Sequence, residues 1–190
     1  AWYENDGNQI FTTNIITSNA DGARSVYAVD FDGDGDVDVI SASEKDNKIT
    51  WHENDGNQIF TTHVITSSAN GANSVFTVDM EEDGDMDVLS ASIFDNKIAW
   101  YENDGNHNFT KYVISDNASY AFSVFAADVD GDGDKDVLSA SRDDDKIAWY
   151  ENDGNQNFYT HVITSSADGA RSVFAVDIDD DGDMDVLSAS

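Results

Sequence analysis

The chain repeats itself every 49 residues. A tryptophan marks each repeat, at Trp2, Trp51, Trp100 and Trp149. Residues 51–92 and 149–190 differ at only nine of 42 positions. A period of roughly 20 to 50 residues is typical of proteins in which each unit buries its apolar face against its neighbours. The sequence therefore predicts an array of similar units.

One repeat is predicted to form four short strands. The apolar segments SVFTVD (74–79) and DVLSAS (87–92) flank an acidic loop, and KIAWYEN (97–103) and FTKYVIS (109–115) follow. The NDGN stretch between the last two carries an Asp-Gly pair of the kind that closes β-hairpins. We find no helical periodicity. The pattern predicts an all-β protein, a β-propeller of four-stranded antiparallel blades with four blade equivalents per chain. A β-solenoid is the structural alternative, although its turns usually repeat at shorter periods.

The repeat also predicts where the blades begin and end. We expect one propeller domain, or half of a larger propeller, over residues 1–190. Three complete blades over about 24–66, 73–115 and 122–164 would lie between a half-blade at 1–17 and another at 171–190. Unpaired half-blades would expose sheet edges, so they should pair. Pairing within one chain gives a four-bladed ring, and pairing between two chains gives an eight-bladed homodimer, which we favour. The tryptophans should fill the space between blades.

An acidic loop follows the first strand of every repeat. The four loops read DFDGDGDVD (30–38), DMEEDGDMD (79–87), DVDGDGDKD (128–136) and DIDDDGDMD (177–185). Carboxylates recur at positions 1, 3, 5 and 9, with glycine at position 6. The carboxylates of such a cluster repel one another unless a cation binds among them, and Ca²⁺ takes about six to eight oxygen ligands. The loops therefore predict calcium, about four ions per chain, rather than Mg²⁺, which demands tighter geometry. An EF-hand is excluded because serine stands at position 12 and strands flank the loop.

Two motifs resemble a known family. FAVDIDDDGDMDVLSAS (174–190) and KIAWYENDG (97–105) are similar to the FG-GAP-like, or VCBS, repeats, and more distantly to the calcium-binding blades of integrin α-subunit propellers. The Phe-Gly and Gly-Ala-Pro motifs that give the family its name are absent, so the resemblance to integrins is one of architecture only. In that family the acidic loop joins the first two strands of a blade and holds Ca²⁺. Glu81, in place of Asp, should re-shape the second site.

The resemblance implies a ligand set in each loop. Four carboxylates per loop would bind the ion, and the main-chain carbonyl at position 7 would add an uncharged ligand. The implied carboxylates are Asp30, Asp32, Asp34 and Asp38; Asp79, Glu81, Asp83 and Asp87; Asp128, Asp130, Asp132 and Asp136; and Asp177, Asp179, Asp181 and Asp185. The position-7 residues are Asp36, Asp85, Asp134 and Asp183.

The charge of the chain limits its partners. The formal net charge is −30, from 39 acidic residues against nine Lys and Arg. Such a surface repels nucleic acid and anionic membranes, and cations are its natural partners. No apolar run approaches the roughly 20 residues that span a bilayer, so we expect no membrane insertion. The absence of cysteine excludes disulfides, thiolate metal sites and cysteine nucleophiles.

No set of residues predicts catalysis. Only His63 and His161 are repeat equivalents, so no histidine constellation is common to the repeats. All four histidines are predicted to be surface strand residues: His52, His63, His107 and His161. Glutamates recur once per repeat, at Glu4, Glu53, Glu102 and Glu151, but a pair of glycosidase carboxylates needs two different environments. We therefore predict that the chain is not an enzyme.

The function predicted from these patterns is a calcium-stabilised scaffold for extracellular adhesion or recognition. Calcium sites of millimolar to micromolar affinity would fill outside cells, which places the protein in the secreted or cell-surface class. One alternative is a sugar-binding lectin with a pocket in each blade, and another is a non-catalytic propeller attached to a carbohydrate-active enzyme. The protein or glycan ligand is unidentified. Tyr120 and Phe122, where one repeat departs most from the others, are candidates for a specific contact.

Overall fold

The computed structural model describes residues 1–190 and contains 16 strands in five antiparallel sheets. Three sheets have four strands and two have two strands. The all-β propeller predicted from the sequence is confirmed. No helix long and apolar enough to cross a membrane is present.

Each four-stranded sheet is one blade. Blade 1 contains β3 (Ala23–Val29), β4 (Asp38–Ser43), β5 (Lys48–Asn54) and β6 (Phe60–Thr66). Blade 2 contains β7 (Ala72–Val78), β8 (Asp87–Ser92), β9 (Lys97–Asn103) and β10 (Phe109–Ser115). Blade 3 contains β11 (Ala121–Ala127), β12 (Asp136–Ser141), β13 (Lys146–Asn152) and β14 (Phe158–Thr164). The two-stranded sheets pair β1 (Trp2–Asn5) with β2 (Phe11–Asn14), and β15 (Ser172–Val176) with β16 (Asp185–Ala189).

Each blade is an antiparallel meander, which gives the molecule two distinct ends. Strands lie side by side in chain order, so the acidic loop after the first strand and the NDG turn after the third lie at one end, the acidic end. The turn after the second strand and the loop to the next blade lie at the other, the turn end. Backbone hydrogen bonds join these last two segments, as from Glu44 to the Gly22 carbonyl, 2.9 Å.

The first strands of successive blades contact one another. Their aromatic rings form a continuous ladder from Tyr27 to Phe174. Ring centroids are 5.0 Å apart for Tyr27 and Phe76, 4.7 Å for Phe76 and Phe125, and 4.6 Å for Phe125 and Phe174. Edge-to-face and tilted pairs at these distances are favourable beyond the area that they bury. The ladder therefore contributes to the packing between neighbouring blades.

The hydrophobic core lies between the blades rather than within one of them. Trp51 and Trp100 are fully buried there, as the sequence predicts. Trp51 shares a cluster with Val75 and Tyr101 of the next blade, and Trp100 lies in the corresponding cluster between blades 2 and 3. Burial of a large apolar side chain contributes about 1.5–3 kcal/mol, so each interface between blades is a major source of stability.

The first and last sheets remain half-blades. The β1–β2 sheet holds the equivalents of a third and fourth strand, and the β15–β16 sheet holds the equivalents of a first and second strand. They are separate sheets, so the structure is an arc of three complete blades with a half-blade at each side.

Candidate metal centres

Carboxylates converge in three of the four acidic loops. One carboxylate oxygen from each member of a group lies within 4.8 Å of the others in the same group. The groups are Asp30, Asp32 and Asp34; Asp128, Asp130 and Asp136; and Asp177, Asp179 and Asp185. Each group combines positions 1 and 3 with position 5 or 9. The sequence pattern thus brings together side chains that lie up to eight residues apart in the chain.

The glycine at position 6 allows each loop to wrap around its first carboxylate. Gly35 has φ +97° and Gly133 has φ +103°, values that an L side chain rarely adopts. In this conformation the Gly35 N–H donates to Oδ2 of Asp30 at 3.1 Å, and the Gly133 N–H donates to Asp128 at 3.1 Å. A loop with a side chain at position 6 would lose this turn.

The aspartate at position 9 connects the loop to the third strand. Oδ1 of Asp38 accepts from the Asn54 N–H at 2.7 Å, and Oδ2 accepts from the Trp51 indole N–H at 2.9 Å. The same backbone hydrogen bond joins Asn152 to Asp136 at 2.8 Å. Burial raises the pKa of Asp38 and of Asp136 despite these donors. The loop is thereby anchored to the blade at its buried end.

The second loop, which has Glu in place of Asp at position 3, is absent from the converging groups. Burial, followed by a side-chain hydrogen bond to Asp87 and the charge of that group, raises the pKa of Glu81 to about 9. The carboxylate of Asp87 beside Glu81 thus adds to the effect of burial and favours the protonated form of Glu81. Oε2 of Glu81 is nevertheless closed to water and lacks a hydrogen-bond partner.

The donor set fits a hard cation. Oδ1 of Asp30 is closed to water and has no hydrogen-bond donor, which is costly for a carboxylate oxygen unless a positive charge is near. Burial, with added repulsion from neighbouring aspartates, raises the pKa of Asp32 and of Asp130. Oxygen ligands from several carboxylates and a loop carbonyl suit Ca²⁺ better than the softer transition metals.

The carboxylate at position 7 lies against the NDG turn of the same blade. A Cβ added to Gly154 would lie 2.5 Å from Oδ2 of Asp134, and one added to Gly56 would meet Asp36 in the same way. Sequence reasoning assigned only the main-chain carbonyl at position 7 and missed this contact. The recurrence of NDG with every acidic loop was the available signal. The glycine of the turn therefore serves the neighbouring loop as well as the hairpin.

Comparison with protein families gives a match along nearly the whole chain. The model described as FG-GAP-like repeat matches residues 1–41, 30–90, 82–139 and 128–188. The chain belongs to the FG-GAP-like repeat family. A search of the curated proteins gives no match.

Two solved structures resemble the FG-GAP-like chain in fold. One is a lectin of Agrocybe aegerita that recognises non-reducing terminal N-acetylglucosamine, with a TM-score of 0.59, 16% identity, and coverage of 86% of this chain and 46% of the lectin. The other is the V. cholerae biofilm matrix protein Bap1, with a TM-score of 0.53, 19% identity, and coverage of 88% and 28%. The chain spans less than half the length of either.

One histidine of the FG-GAP-like chain is buried, so the prediction that all four are surface residues was wrong. His52 is 2% exposed and occupies the position of Tyr101 and Tyr150. Its Nε2 lies 3.0 Å from the Ser41 hydroxyl, and its Nδ1 lies 2.9 Å from the Thr62 hydroxyl. Burial lowers the pKa of His52 to about 4, so the ring is neutral at pH 7. The contact with Ser41 has its equivalent in blade 3, where the Ser139 hydroxyl lies 3.1 Å from the Tyr150 hydroxyl.

Two other histidines form a polar and aromatic set on the outer strands of the FG-GAP-like blades. His63 Nε2 lies 2.6 Å from Glu53, and the His63 ring stacks on Trp51 with centroids 4.6 Å apart. His161 repeats this arrangement with Glu151, also at 2.6 Å. Both histidines and both glutamates are partly exposed. The set recurs once per blade, with Tyr112 replacing the histidine in blade 2.

The two ends of the FG-GAP-like blades differ strongly in charge. The four acidic loops contain 22 of the 39 acidic residues. Seven of the nine Lys and Arg residues lie at the turn end, namely Arg24, Lys45, Lys48, Lys97, Arg142, Lys146 and Arg171. Nearly all of the net negative charge is therefore at the acidic end.

The turn end also carries the segment that departs most from the repeat. Tyr120 has φ +57° at a position where the other repeats have glycine, and the Arg142 guanidinium lies 3.6 Å from the centroid of its ring. The Phe122 ring stacks on Tyr120 with centroids 6.4 Å apart. Retention of a tyrosine in a strained conformation gives blade 3 a surface that the other blades lack.

Proposed function

We propose that this FG-GAP-like propeller is a calcium-stabilised scaffold for adhesion or recognition outside the cell, either secreted or held at the cell surface. The observation that carries the proposal is the convergence of carboxylate oxygens to within 4.8 Å in the acidic loops. The oxygen of Asp30 that is closed to water and lacks a donor supports a cation at that point.

The residues that would hold the ion also connect three strands of a blade. Position 1 follows the last residue of the first strand, position 9 begins the second strand, and the hydrogen bonds of position 9 reach the third strand. A bound Ca²⁺ supplies positive charge that replaces repulsion among these carboxylates with attraction. An ion that binds only the folded state stabilises it by about 2.7 kcal/mol per site at a concentration of 100 Kd.

The scaffold part of the proposal follows from how rigid and variable elements are distributed. The blade interfaces are closely packed apolar clusters, whereas loops such as that around Tyr120 differ in sequence between repeats. Rigid elements that present variable loops are the usual basis of recognition surfaces. We assign the protein no catalytic role, and its partner would be a protein or glycan.

Thermal unfolding in EDTA and in millimolar Ca²⁺ tests the calcium proposal. We expect a higher midpoint with Ca²⁺ and a smaller gain with Mg²⁺. Asp130→Asn should reduce the gain, because Asp130 belongs to a converging group. Asp153→Asn, with the same charge change in an NDG turn outside the converging groups, is the matched control. Equal midpoints in EDTA and Ca²⁺ would contradict the proposal.

A second candidate function is sugar binding. The recurring set of a glutamate, a histidine and a tryptophan on the outer strands favours it, because sugar sites combine polar groups with an aromatic face. The lectin with a similar fold recognises terminal N-acetylglucosamine. A glycan array in Ca²⁺ separates the candidates. Binding to one sugar class that His161→Ala weakens supports a lectin, and an array without binding supports a scaffold.

A further inference from the structure

Three side chains that can bind a transition metal lie at the outer edge of the interface between blades 1 and 2. Glu53 and His63 lie on the third and fourth strands of blade 1, and His107 lies in the NDG turn of blade 2. Nε2 of His63 lies 2.6 Å from Oε2 of Glu53. The centroids of the His63 and His107 rings are 6.4 Å apart. All three residues belong to complete blades, and none of them lies in an acidic loop.

Trp51 holds both imidazole rings in place. Its indole is fully buried between the two blades, and its N–H donates to Oδ2 of Asp38 at 2.9 Å. The His63 ring stacks on the indole with centroids 4.6 Å apart, and the His107 ring packs against it at 4.6 Å with the planes at 81°. Ligands that packing holds in position lose less conformational freedom when an ion binds. The two rings are therefore partly organised before any metal binds.

Small movements are sufficient for one ion to contact all three side chains. With Zn–N and Zn–O bonds of about 2.0–2.2 Å, two ligand atoms on one tetrahedral zinc ion lie roughly 3.3 Å apart, so the contact between His63 and Glu53 would open by about 0.7 Å. The centroids of two imidazoles on such an ion lie roughly 5–6 Å apart, so His107 would move inward by about 1 Å. His107 is exposed on a turn, where a shift of this size breaks no strand pairing.

The ligand types favour a transition metal over calcium. Imidazole nitrogen suits Zn²⁺, Cu²⁺ and Ni²⁺, whereas Ca²⁺ takes oxygen ligands. Two histidines and one carboxylate are a ligand set that zinc uses together with a water molecule in its fourth position. The side chains of His63 and Glu53 are 37% and 35% exposed, so an ion can reach them from solvent and retain that water.

The other interface between complete blades lacks this combination. Between blades 2 and 3, Tyr112 and Gln156 stand at the positions of the two histidines. Blade 3 pairs His161 with Glu151 at 2.6 Å, which supplies one histidine and one carboxylate. The set of two histidines and a glutamate is thus specific to blades 1 and 2, whereas an acidic loop follows the first strand of every repeat.

We propose that Glu53, His63 and His107 bind one Zn²⁺ ion that joins blades 1 and 2 at their outer edge. The ion takes the place of the hydrogen between His63 and Glu53, and the histidines bind it in their neutral form. Because its ligands come from two blades, the ion adds a direct link to an interface that apolar packing holds together. The site is separate from the acidic loops and does not depend on the ion that they bind.

Calorimetric titration of the full chain with ZnCl₂ in millimolar Ca²⁺ tests the proposal. We expect one site with a Kd in the micromolar range or below, and binding at least about tenfold weaker for His63→Tyr and for His107→Gln. Each substitution introduces the residue that another blade has at that position, so the fold should be retained. His161→Tyr, the same change in the pair of blade 3, is the matched control and should leave this affinity unchanged.

Any weaker binding of Zn²⁺ to the acidic loops should be the same in every variant. A Kd in the millimolar range for the unaltered protein, or an equal affinity for His107→Gln and the unaltered protein, would overturn the proposal.

Thermal unfolding gives an independent measurement of the link between blades. In millimolar Ca²⁺, Zn²⁺ above its Kd should raise the midpoint of the unaltered protein, because the ion binds only the folded state. The rise should be smaller for His107→Gln, whereas His161→Tyr should respond like the unaltered protein. An equal rise in all three proteins would show that Zn²⁺ acts elsewhere and would refute the site. Since Ca²⁺ is constant throughout, the outcome is independent of the calcium proposal.

Discussion

The raised pKa of Glu81 leads to a prediction that depends on calcium. We consider Glu81→Gln, which keeps the shape of the protonated side chain but removes its charge. In EDTA the variant should be more stable than the unaltered protein at pH 7 and above. In millimolar Ca²⁺ it should gain less stability, because an amide is a poorer ligand than a carboxylate.

The magnitude follows from the raised pKa. Burial, the hydrogen bond to Asp87 and the charge of that group raise the pKa of Glu81 to about 9, from 4.5 in the unfolded chain. Folding at pH 7 therefore takes up a proton, at a cost of at most about 3.4 kcal/mol at roughly 1.36 kcal/mol per pH unit. Glu81 is only half-buried, and solvent screens its neighbours, so we expect about 1–2 kcal/mol. Each kcal/mol corresponds to about 2–4 °C in Tm for a chain of this size.

The pH dependence gives the sharpest assay. The folded protein holds a proton that the unfolded chain releases, so the free energy of unfolding in EDTA should fall as pH rises between about 4.5 and 9. Glu81→Gln should reduce this slope, whereas Glu82→Gln, with the same charge change at an exposed position, should not. Urea unfolding at several pH values measures it. Equal slopes for the two variants, or a less stable Glu81→Gln protein in EDTA, would refute the reasoning.

Two further predictions concern single residues in other parts of the chain. Gly154→Ala should destabilise the protein more than Gly169→Ala in urea unfolding. Both glycines have φ near +70°, but only at Gly154 would the added Cβ displace another side chain, that of Asp134. Equal losses would contradict the contact. The free energy of unfolding should fall as the pH falls from about 6.5 to 4, because His52 takes up a proton in the unfolded chain but stays neutral when buried. His52→Tyr should reduce that fall. An unchanged pH profile in the variant would count against the burial of His52.

The sequence predicted the features that recur and that local chemistry determines. The strand bounds of blade 2 match the predicted segments, apart from its first strand, which begins two residues earlier, at Ala72. The predicted burial of Trp51 and Trp100 is confirmed, because a 49-residue period with apolar strands requires packing between units. The carboxylates of three acidic loops converge. Their spacing in the sequence predicts a tightly wrapped loop, and the glycine at position 6 allows the sharp turn that such a loop needs.

The features that the sequence did not predict depend on contacts between distant segments. Nothing in the local sequence distinguishes His52 from an exposed strand residue. Its burial depends on contacts with Ser41 and Thr62, which lie on neighbouring strands. Asp36 and Gly56 lie in two loops 20 residues apart in the sequence, and no local sequence pattern indicates that they are in contact. The raised pKa of Glu81 results from its burial and from the neighbouring Asp87, which the number of acidic residues in the loop does not reveal.

The separation of charge between the two ends gives the propeller an orientation. Because strands of every blade run the same way, all acidic loops emerge on one side and most of the lysines and arginines on the other. The molecule is therefore an electric dipole along the propeller axis, and a positively charged surface would align it with the loops inward. Screening limits this alignment to about 8 Å at physiological ionic strength, so it acts at the last step of approach. The side that then faces outward carries Tyr120 and Arg142.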